Sequence, residues 1–261
     1  MLADLTAGSV QDARSREVER PLAVLEAAAL AQRPALDARA ALAPADRVKI
    51  IAEVKRASPS RGDLAAIPDP ALQARRYQEG GASAISVLTE QRRFKGSLAD
   101  LEAVRAAVSL PVLRKDFIAT EYQVLEARAA GADLVLLIVA ALAQDRLSRL
   151  HTLIGDLGMT ALVETHSADE VDRAADIGAQ VIGINARDLT TFQLDRDLFG
   201  RLVERVPAGA VKIAESAVQQ PEDVARYRAA GADVVLVGEA LVTGDPVATL
   251  RAFLGHGEER A

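Results

Sequence analysis

The sequence predicts one α/β domain, a closed (β/α)8 barrel preceded by an N-terminal helical extension. Three observations point there. From Val48 onward, short apolar runs alternate eight times with stretches rich in Ala, Leu, Arg and Glu. That alternation is the pattern of a parallel sheet with helical crossovers. The runs are apolar almost throughout, as strands of a sheet covered on its outer face must be. A Gly-Ala pair precedes every second run, at Gly81-Ala82, Gly131-Ala132, Gly178-Ala179 and Gly231-Ala232. The repeat, of roughly 50 residues, is the size of two βα units, and four of them make the eight strands of a TIM barrel. An open doubly wound sheet is the alternative. It would carry a Gly-x-Gly-x-x-Gly turn after its first strand, where this chain reads Lys55-Arg56-Ala57-Ser58-Pro59-Ser60.

Composition limits the function. The chain has 261 residues, 50% hydrophobic and 26% charged, ample for one large core. A single domain over 1–261 is expected, with the extension at 1–47 and the barrel at 48–254. A net charge of −6, 3% aromatics and no long basic run weigh against nucleic-acid binding. With no cysteine, disulfides, thiol nucleophiles and thiolate metal sites are excluded. His151, His166 and His256 are too scattered for a metal cluster, so no metal is expected. No apolar segment is long enough to span a bilayer, and the first residues lack a basic-then-apolar leader. No membrane association and a cytoplasmic location are expected.

Taken in order, the extension begins the chain. Val18 to Leu30 is rich in strong helix formers and reads as one helix, with Leu22, Leu25 and Leu30 on its buried face. Pro34 and Pro44 punctuate the segment between this helix and the first strand. A packing role is favoured over a lid. Strands are expected at 48–54, 83–88, 111–114, 133–139, 160–163, 180–184, 211–214 and 233–237. Helices are expected at about 70–79, 97–108, 120–130, 142–157, 167–177, 195–205, 220–230 and 246–254. Residues 255–261 read as a disordered tail. No helix shows a clear exposed apolar stripe, and a monomer is expected.

Barrel enzymes place their chemistry at the C-terminal ends of the strands. In the first strand, Glu53 and Lys55 are two positions apart and share a face. The third strand runs into Lys115, the fifth into Glu164 and His166, the sixth into Asn185 and Arg187, and the seventh into Glu215 and Ser216. One mouth would therefore gather two ammoniums, three carboxylates and an amide. Carboxylates beside lysines shift one another's pKa values, so acid and base roles can separate near neutral pH. No Ser-His nucleophile pattern appears. The loops after the last two strands, with Ser216 and Gly238-Glu239, suit a phosphate held by backbone N–H groups.

The motifs Glu53-Val54-Lys55-Arg56-Ala57-Ser58-Pro59-Ser60, Leu113-Arg114-Lys115-Asp116-Phe117, Leu162-Val163-Glu164-Thr165-His166, Gly183-Ile184-Asn185-Ala186-Arg187-Asp188, Ala214-Glu215-Ser216 and Val237-Gly238-Glu239-Ala240 resemble those of the indole-3-glycerol-phosphate synthase family of tryptophan biosynthesis. The resemblance covers nearly the whole chain. It implies a carboxy-lyase that needs no cofactor. The substrate is a small molecule, 1-(2-carboxyphenylamino)-1-deoxyribulose 5-phosphate, which undergoes ring closure, decarboxylation and dehydration. By similarity, Lys115 is the general acid of ring closure and Glu164 the general base of dehydration. Lys55 contacts the substrate carboxylate and serves as the acid that expels hydroxide. Glu53 and Asn185 orient these groups, Glu215 positions substrate, and Arg187 supports the site. Ser58, Ser216, Gly238 and Glu239 hold the phosphate. Phe94, Phe117 and either Leu136 or Leu137 wall the anthranilate ring.

Two departures from the family pattern stand out. Ala217 replaces the usual Gly after Glu-Ser; a positive φ there would strain it by about 1 kcal/mol and weaken phosphate binding. The loop Arg93-Phe94-Lys95-Gly96 replaces the commoner Phe-Phe-x-Gly. The rival readings are another sugar-phosphate barrel enzyme (a phosphoribosylanthranilate isomerase or a Schiff-base aldolase using Lys115) and a non-catalytic phosphate-binding barrel.

Overall fold

The computed structural model describes residues 1–189, 191 and 193–255. The expected tail lies, Gly255 apart, outside the described residues, as does His256. Eight parallel strands close into a barrel: β1 (Lys49–Val54), β2 (Ala84–Leu88), β3 (Val112–Lys115), β4 (Leu134–Ile138), β5 (Thr160–Thr165), β6 (Val181–Asn185), β7 (Val211–Glu215) and β8 (Val234–Val237). Each strand pairs with its chain neighbours, and β1 closes the ring by pairing with both β2 and β8. The four repeat glycines, Gly81, Gly131, Gly178 and Gly231, all have positive φ (95°, 84°, 74° and 99°), which suits them to end the helix before each even-numbered strand.

Strand alternation divides the core into two layers. Ile51, Leu113, Leu134, Leu162, Val181, Ile213 and Leu236 fill the barrel interior. Ile50, Ala52, Val54, Val135, Leu137, Val163 and Val235 pack outward among the helices. Leu137 is thus removed from any site inside the barrel, and Leu136, its inward-facing neighbour, is the leucine available as a ring wall.

Four strands run further than their apolar residues indicate. β3 includes Lys115, β5 includes Glu164 and Thr165, β6 includes Asn185, and β7 includes Glu215. Backbone pairing continues past the last apolar side chain: Glu164 is in register with Gly183, and Asn185 with Glu215. Lys115, Glu164, Asn185 and Glu215 are therefore held by the sheet ladder rather than by loops.

The extension differs from expectation. A helix α1 (Leu2–Glu19) comes first, the helical run breaks at Arg20-Pro21, and α2 (Leu22–Leu30) and α3 (Ala38–Leu42) come after it. Pro21 lacks the N–H that a continuous helix would need there. The buried face of α1 is Leu5, Gly8, Ser9 and Ala13, mostly small residues with little apolar signal. Leu25 is buried, whereas Leu22 and Leu30 are exposed. Val18 and Val24 are exposed beside them, so the extension does carry exposed apolar side chains. Ala38 and Leu42 join the interior cluster of the barrel.

In the barrel proper, α4 (Pro70–Glu79), α5 (Leu98–Ala107) and α6 (Glu121–Ala129) follow the first three strands, close to the expected bounds. Next come α7 (Gln144–Asp156) and α8 (Ala168–Asp176). The helix expected over 195–205 is one short α-turn, α9 (Leu198–Leu202), finished by a 3-10 turn. After it come α10 (Pro221–Ala229), a short α11 (Glu239–Val242) and α12 (Pro246–Phe253). Among the described residues no helix is long and apolar enough to cross a membrane.

A buried polar network ties α1 to the end of β3. Arg114, fully buried, donates to the carbonyl of Gln123 at 2.7 Å and to Asp116 at 3.1 Å, and lies 3.4 Å from Glu126. Asp116 also accepts from Thr89 Oγ1 at 2.6 Å and from Ser9 Oγ on α1 at 2.8 Å. Arg16 reaches down from α1 to Glu126, at 2.5 and 2.8 Å. Burial would raise the Asp116 pKa, but Arg114 and the hydroxyl donors outweigh it and hold the carboxyl below its usual value.

Candidate active site

The C-terminal mouth of the barrel opens into a cavity. Glu53, Lys55, Ser58, Phe94, Lys115, Phe117, Glu164, Asn185, Arg187, Glu215, Ser216, Gly238 and Glu239 all line it. The structure thus gathers every residue singled out for the site into one place. Leu88, Leu136, Ile138, Leu189 and Leu194 supply its apolar wall.

Lys115 is the centre. Its Nζ lies 2.7 Å from Glu215 Oε2 and 3.1 Å from Glu164 Oε2. Across the mouth, Lys55 Nζ pairs with Glu53 Oε1 at 2.8 Å, as their shared strand face requires. Asn185 Oδ1 accepts from Ser216 Oγ at 2.8 Å and from the Arg187 N–H at 3.0 Å. Glu164 and Glu215 are each 1% exposed, so their charges interact in a medium far less screening than water.

That burial sets the protonation pattern. Desolvation alone would lower the Lys115 pKa; Glu215, Glu164 and Glu53 outweigh it and hold the ammonium above its ordinary value. Burial would raise Glu164, but Lys115, His166 and Asn185 outweigh it and keep this carboxyl below its usual range. In Glu215 burial prevails over the pull of Lys115, aided by repulsion from Glu164, and the pKa rises to about 8. Two carboxyls on one lysine are thereby pushed apart, one ionised and one holding a proton near neutrality.

His166 is a member of this cluster to which the motif reading gave no role. Its Nε2 lies 3.3 Å from Glu164 Oε1, near enough for an ion pair although the two atoms are not aligned as a hydrogen bond. Its Nδ1 lies 3.2 Å from Glu170 Oε2. The available signal was spacing: His166 is two residues beyond Glu164, on the same face of the strand end. Burial would lower the His166 pKa, but Glu164 and Glu170 outweigh it and push it up to about 10.

Two glycines make room for the carboxylates. A Cβ on Gly183 would lie 2.2 Å from Glu215 Oε1. One on Gly238 would lie 2.6 Å from Glu53 Oε1 and 2.9 Å from Lys55 Nζ. Gly183→Ala is therefore expected to push Glu215 off Lys115 and to lower kcat by about 10²-fold, since a displacement of about 1 Å can cost that much. A steady-state assay of the purified variant, with its fold checked by circular dichroism, measures this; a kcat within twofold of the parent would contradict it.

The apolar side of the mouth is built by the loop after β2. Glu90 accepts from the N–H groups of Arg92, Arg93 and Phe94, at 3.0, 2.7 and 2.8 Å. This turn sets Phe94 against Phe117, with ring centroids 6.1 Å apart. Glu90 thus places an aromatic wall of the cavity. Next to this loop, Ala57–Ser58 and Gly62–Asp63 form a small antiparallel hairpin; its Asp63 pairs with Lys95 and its Arg61 with Glu239. The turn after β7 holds Ser216 and Ala217 at φ 69° and 61°. Ala217 does occupy a left-handed position, the circumstance in which its replacement of Gly was expected to cause strain.

Comparison with known proteins identifies the family. The family model described as indole-3-glycerol phosphate synthase matches residues 2–253. The indole-3-glycerol phosphate synthase of Leifsonia xyli subsp. xyli is 72% identical over 255 residues, covering 98% of each chain. That of Beutenbergia cavernae is 57% identical over 265 residues, covering 100% of this chain and 98% of the relative. Among solved structures, a thiamine phosphate pyrophosphorylase from Pyrococcus furiosus superposes with a TM-score of 0.61 at 16% identity, over 82% of this chain and 95% of that one. That likeness concerns the barrel fold alone. With the family model matched from residue 2 to residue 253 and a relative 72% identical over nearly the whole chain, the chain belongs to the indole-3-glycerol phosphate synthase family.

Proposed function

We propose that this chain converts 1-(2-carboxyphenylamino)-1-deoxyribulose 5-phosphate to indole-3-glycerol phosphate with the residues of this mouth, each in a separate role. The observation that carries the assignment of roles is the position of Lys115 between Glu164 and Glu215, with the Glu53–Lys55 pair lining the same cavity.

Lys115 is the proton donor of ring closure. The ring carbon that bears the carboxylate attacks the ribulose carbonyl, and the Lys115 ammonium protonates the carbonyl oxygen to a hydroxyl. Loss of CO₂ then returns its bonding electrons to the ring. In dehydration, Glu164 takes the proton from the carbon beside nitrogen, and the hydroxyl leaves as water with a proton from Lys55. Two protons are given and one is taken. The net uptake of one proton matches the loss of the carboxylate as CO₂. Before its second task Lys55 contacts the substrate carboxylate.

Glu53 fixes Lys55, Asn185 and Glu215 orient the ribulose hydroxyls, and Arg187 steadies that side. Ser58, Ser216 and the backbone N–H groups of Gly238 and Glu239 take the phosphate. Phe94, Phe117 and Leu136 hold the anthranilate ring. We take a monomer as the working unit and place it in the cytoplasm with no nucleic-acid or membrane partner.

A Schiff-base aldolase is disfavoured on physical grounds. An amine must be neutral to attack a carbonyl, and Lys115 sits against two buried carboxyls that favour its ammonium. The test is to incubate protein and substrate while following indole fluorescence, with a parallel sample in borohydride. Indole-3-glycerol phosphate should form and no adduct should be trapped on Lys115. Binding without indole, or a reduced adduct on Lys115, would overturn the assignment.

The turn at Ala217 gives a second check. Ala217→Gly relieves a left-handed alanine and is expected to stabilise the fold by about 1 kcal/mol. It should also lower KM by freeing the turn to fit the phosphate. Thermal melting and steady-state kinetics measure both, and an unchanged or raised KM would count against a phosphate role for this turn.

A further inference from the structure

Glu164 stands between two cations. Lys115 is 3.1 Å from Oε2 and His166 is 3.3 Å from Oε1. With its side chain nearly inaccessible to water, Glu164 depends on them to stay ionised. Only one of them survives the first chemical step. Once Lys115 has given its proton to the substrate it is a neutral amine and offsets nothing. A buried carboxylate beside a second carboxyl then takes up a proton, and a protonated Glu164 cannot act as a base.

We infer that His166, clamped by Glu170, is a positioning residue for the reaction: its imidazolium keeps Glu164 ionised and aimed after Lys115 has lost its charge. This rests on the reading of Glu164 as the base. The clamp is specific. Glu170 Oε2 faces His166 Nδ1 at 3.2 Å and also accepts the His166 backbone N–H at 2.8 Å. Glu170 is itself placed by α8, where its N–H donates to the capping hydroxyl of Ser167 at 3.2 Å. The charged groups acting on the ring are Glu164 from β5 and Glu170 from α8. No proton leaves His166: the proton taken from substrate goes to Glu164, and both ring nitrogens keep theirs.

The test is the pH dependence of kcat for the parent, His166→Gln, Glu170→Gln and Glu164→Gln. In His166→Gln the acid limb should move up by about one pH unit or more, because Glu164 loses its remaining counter-charge. At neutral pH its kcat should fall roughly tenfold with KM within about twofold. Glu170→Gln should move the limb in the same direction by less. Acid limbs that superimpose on the parent's in both variants would overturn the inference. If His166→Gln fails to fold, Glu170→Gln decides alone, since it leaves the barrel interior untouched. Glu164→Gln separates the two ideas: if it is inactive while the other limbs stay unmoved, only the inference falls; if it retains parent activity, the base assignment falls and the inference with it.

Discussion

Lys115→Met is expected to lower kcat by a hundredfold or more, within the roughly 10²–10⁴-fold that a positioned proton donor contributes. Methionine keeps an unbranched side chain of similar length but has no proton to give. KM should change little, because the groups proposed for the phosphate lie in the segments that follow other strands. Glu164, ionised and nearly inaccessible to water, would lose the ammonium it shares with Glu215 and be driven towards its protonated form. Lys115→Arg separates charge from proton donation, since a guanidinium stays charged but does not release its proton near neutrality. Both variants should be slow. An arginine variant with parent-like kcat would mean that Lys115 acts through charge alone.

Arg114→Met is expected to lower unfolding stability by about 3–5 kcal/mol, the usual cost of removing one partner from a buried ionic network. The substitution strands Asp116 and Glu126, both buried, and loosens the tie from Ser9 and Arg16 on α1 to the end of β3. Lys115 is the next residue along the strand, so kcat should also fall, although Arg114 does not line the cavity. Urea unfolding of parent and variant measures the first effect. A loss of less than about 1 kcal/mol would mean that the network contributes little net stability, as some buried ion pairs do.

The barrel could be read from the chain because its signals are local and repeated. Eight apolar runs and four helix-ending glycines each state their own position. The mouth could be read for a related reason. Glu53 and Lys55 reveal their shared face by spacing, and the strand-end rule brings Lys115, Glu164, Asn185 and Glu215 together without knowledge of any distance.

What could not be read depends on packing across the chain. Helix α1 buries small residues, so its sequence carries no apolar stripe, yet Ser9 reaches Asp116 more than a hundred residues away. Gly183 looks like an ordinary strand residue until Glu215 is seen to occupy the space of its missing side chain. Whether Leu136 or Leu137 faces inward depends on strand register, which the apolar run leaves open because both are apolar. His166 stood in view beside Glu164 at the end of the fifth strand without a role, and its distances to Glu164 and Glu170 give it one.

The central claim is that acid and base act in different steps: Lys115 in ring closure, Glu164 in dehydration. A rapid-quench single turnover with carboxyl-labelled substrate tests it directly, counting released CO₂ and indole formed in the same samples. The parent should yield one CO₂ per indole. Lys115→Met should yield neither at an appreciable rate, because closure precedes decarboxylation. Glu164→Gln should release CO₂ while indole lags behind. CO₂ release at the parent rate by Lys115→Met, or indole formation at the parent rate by Glu164→Gln, would contradict the account.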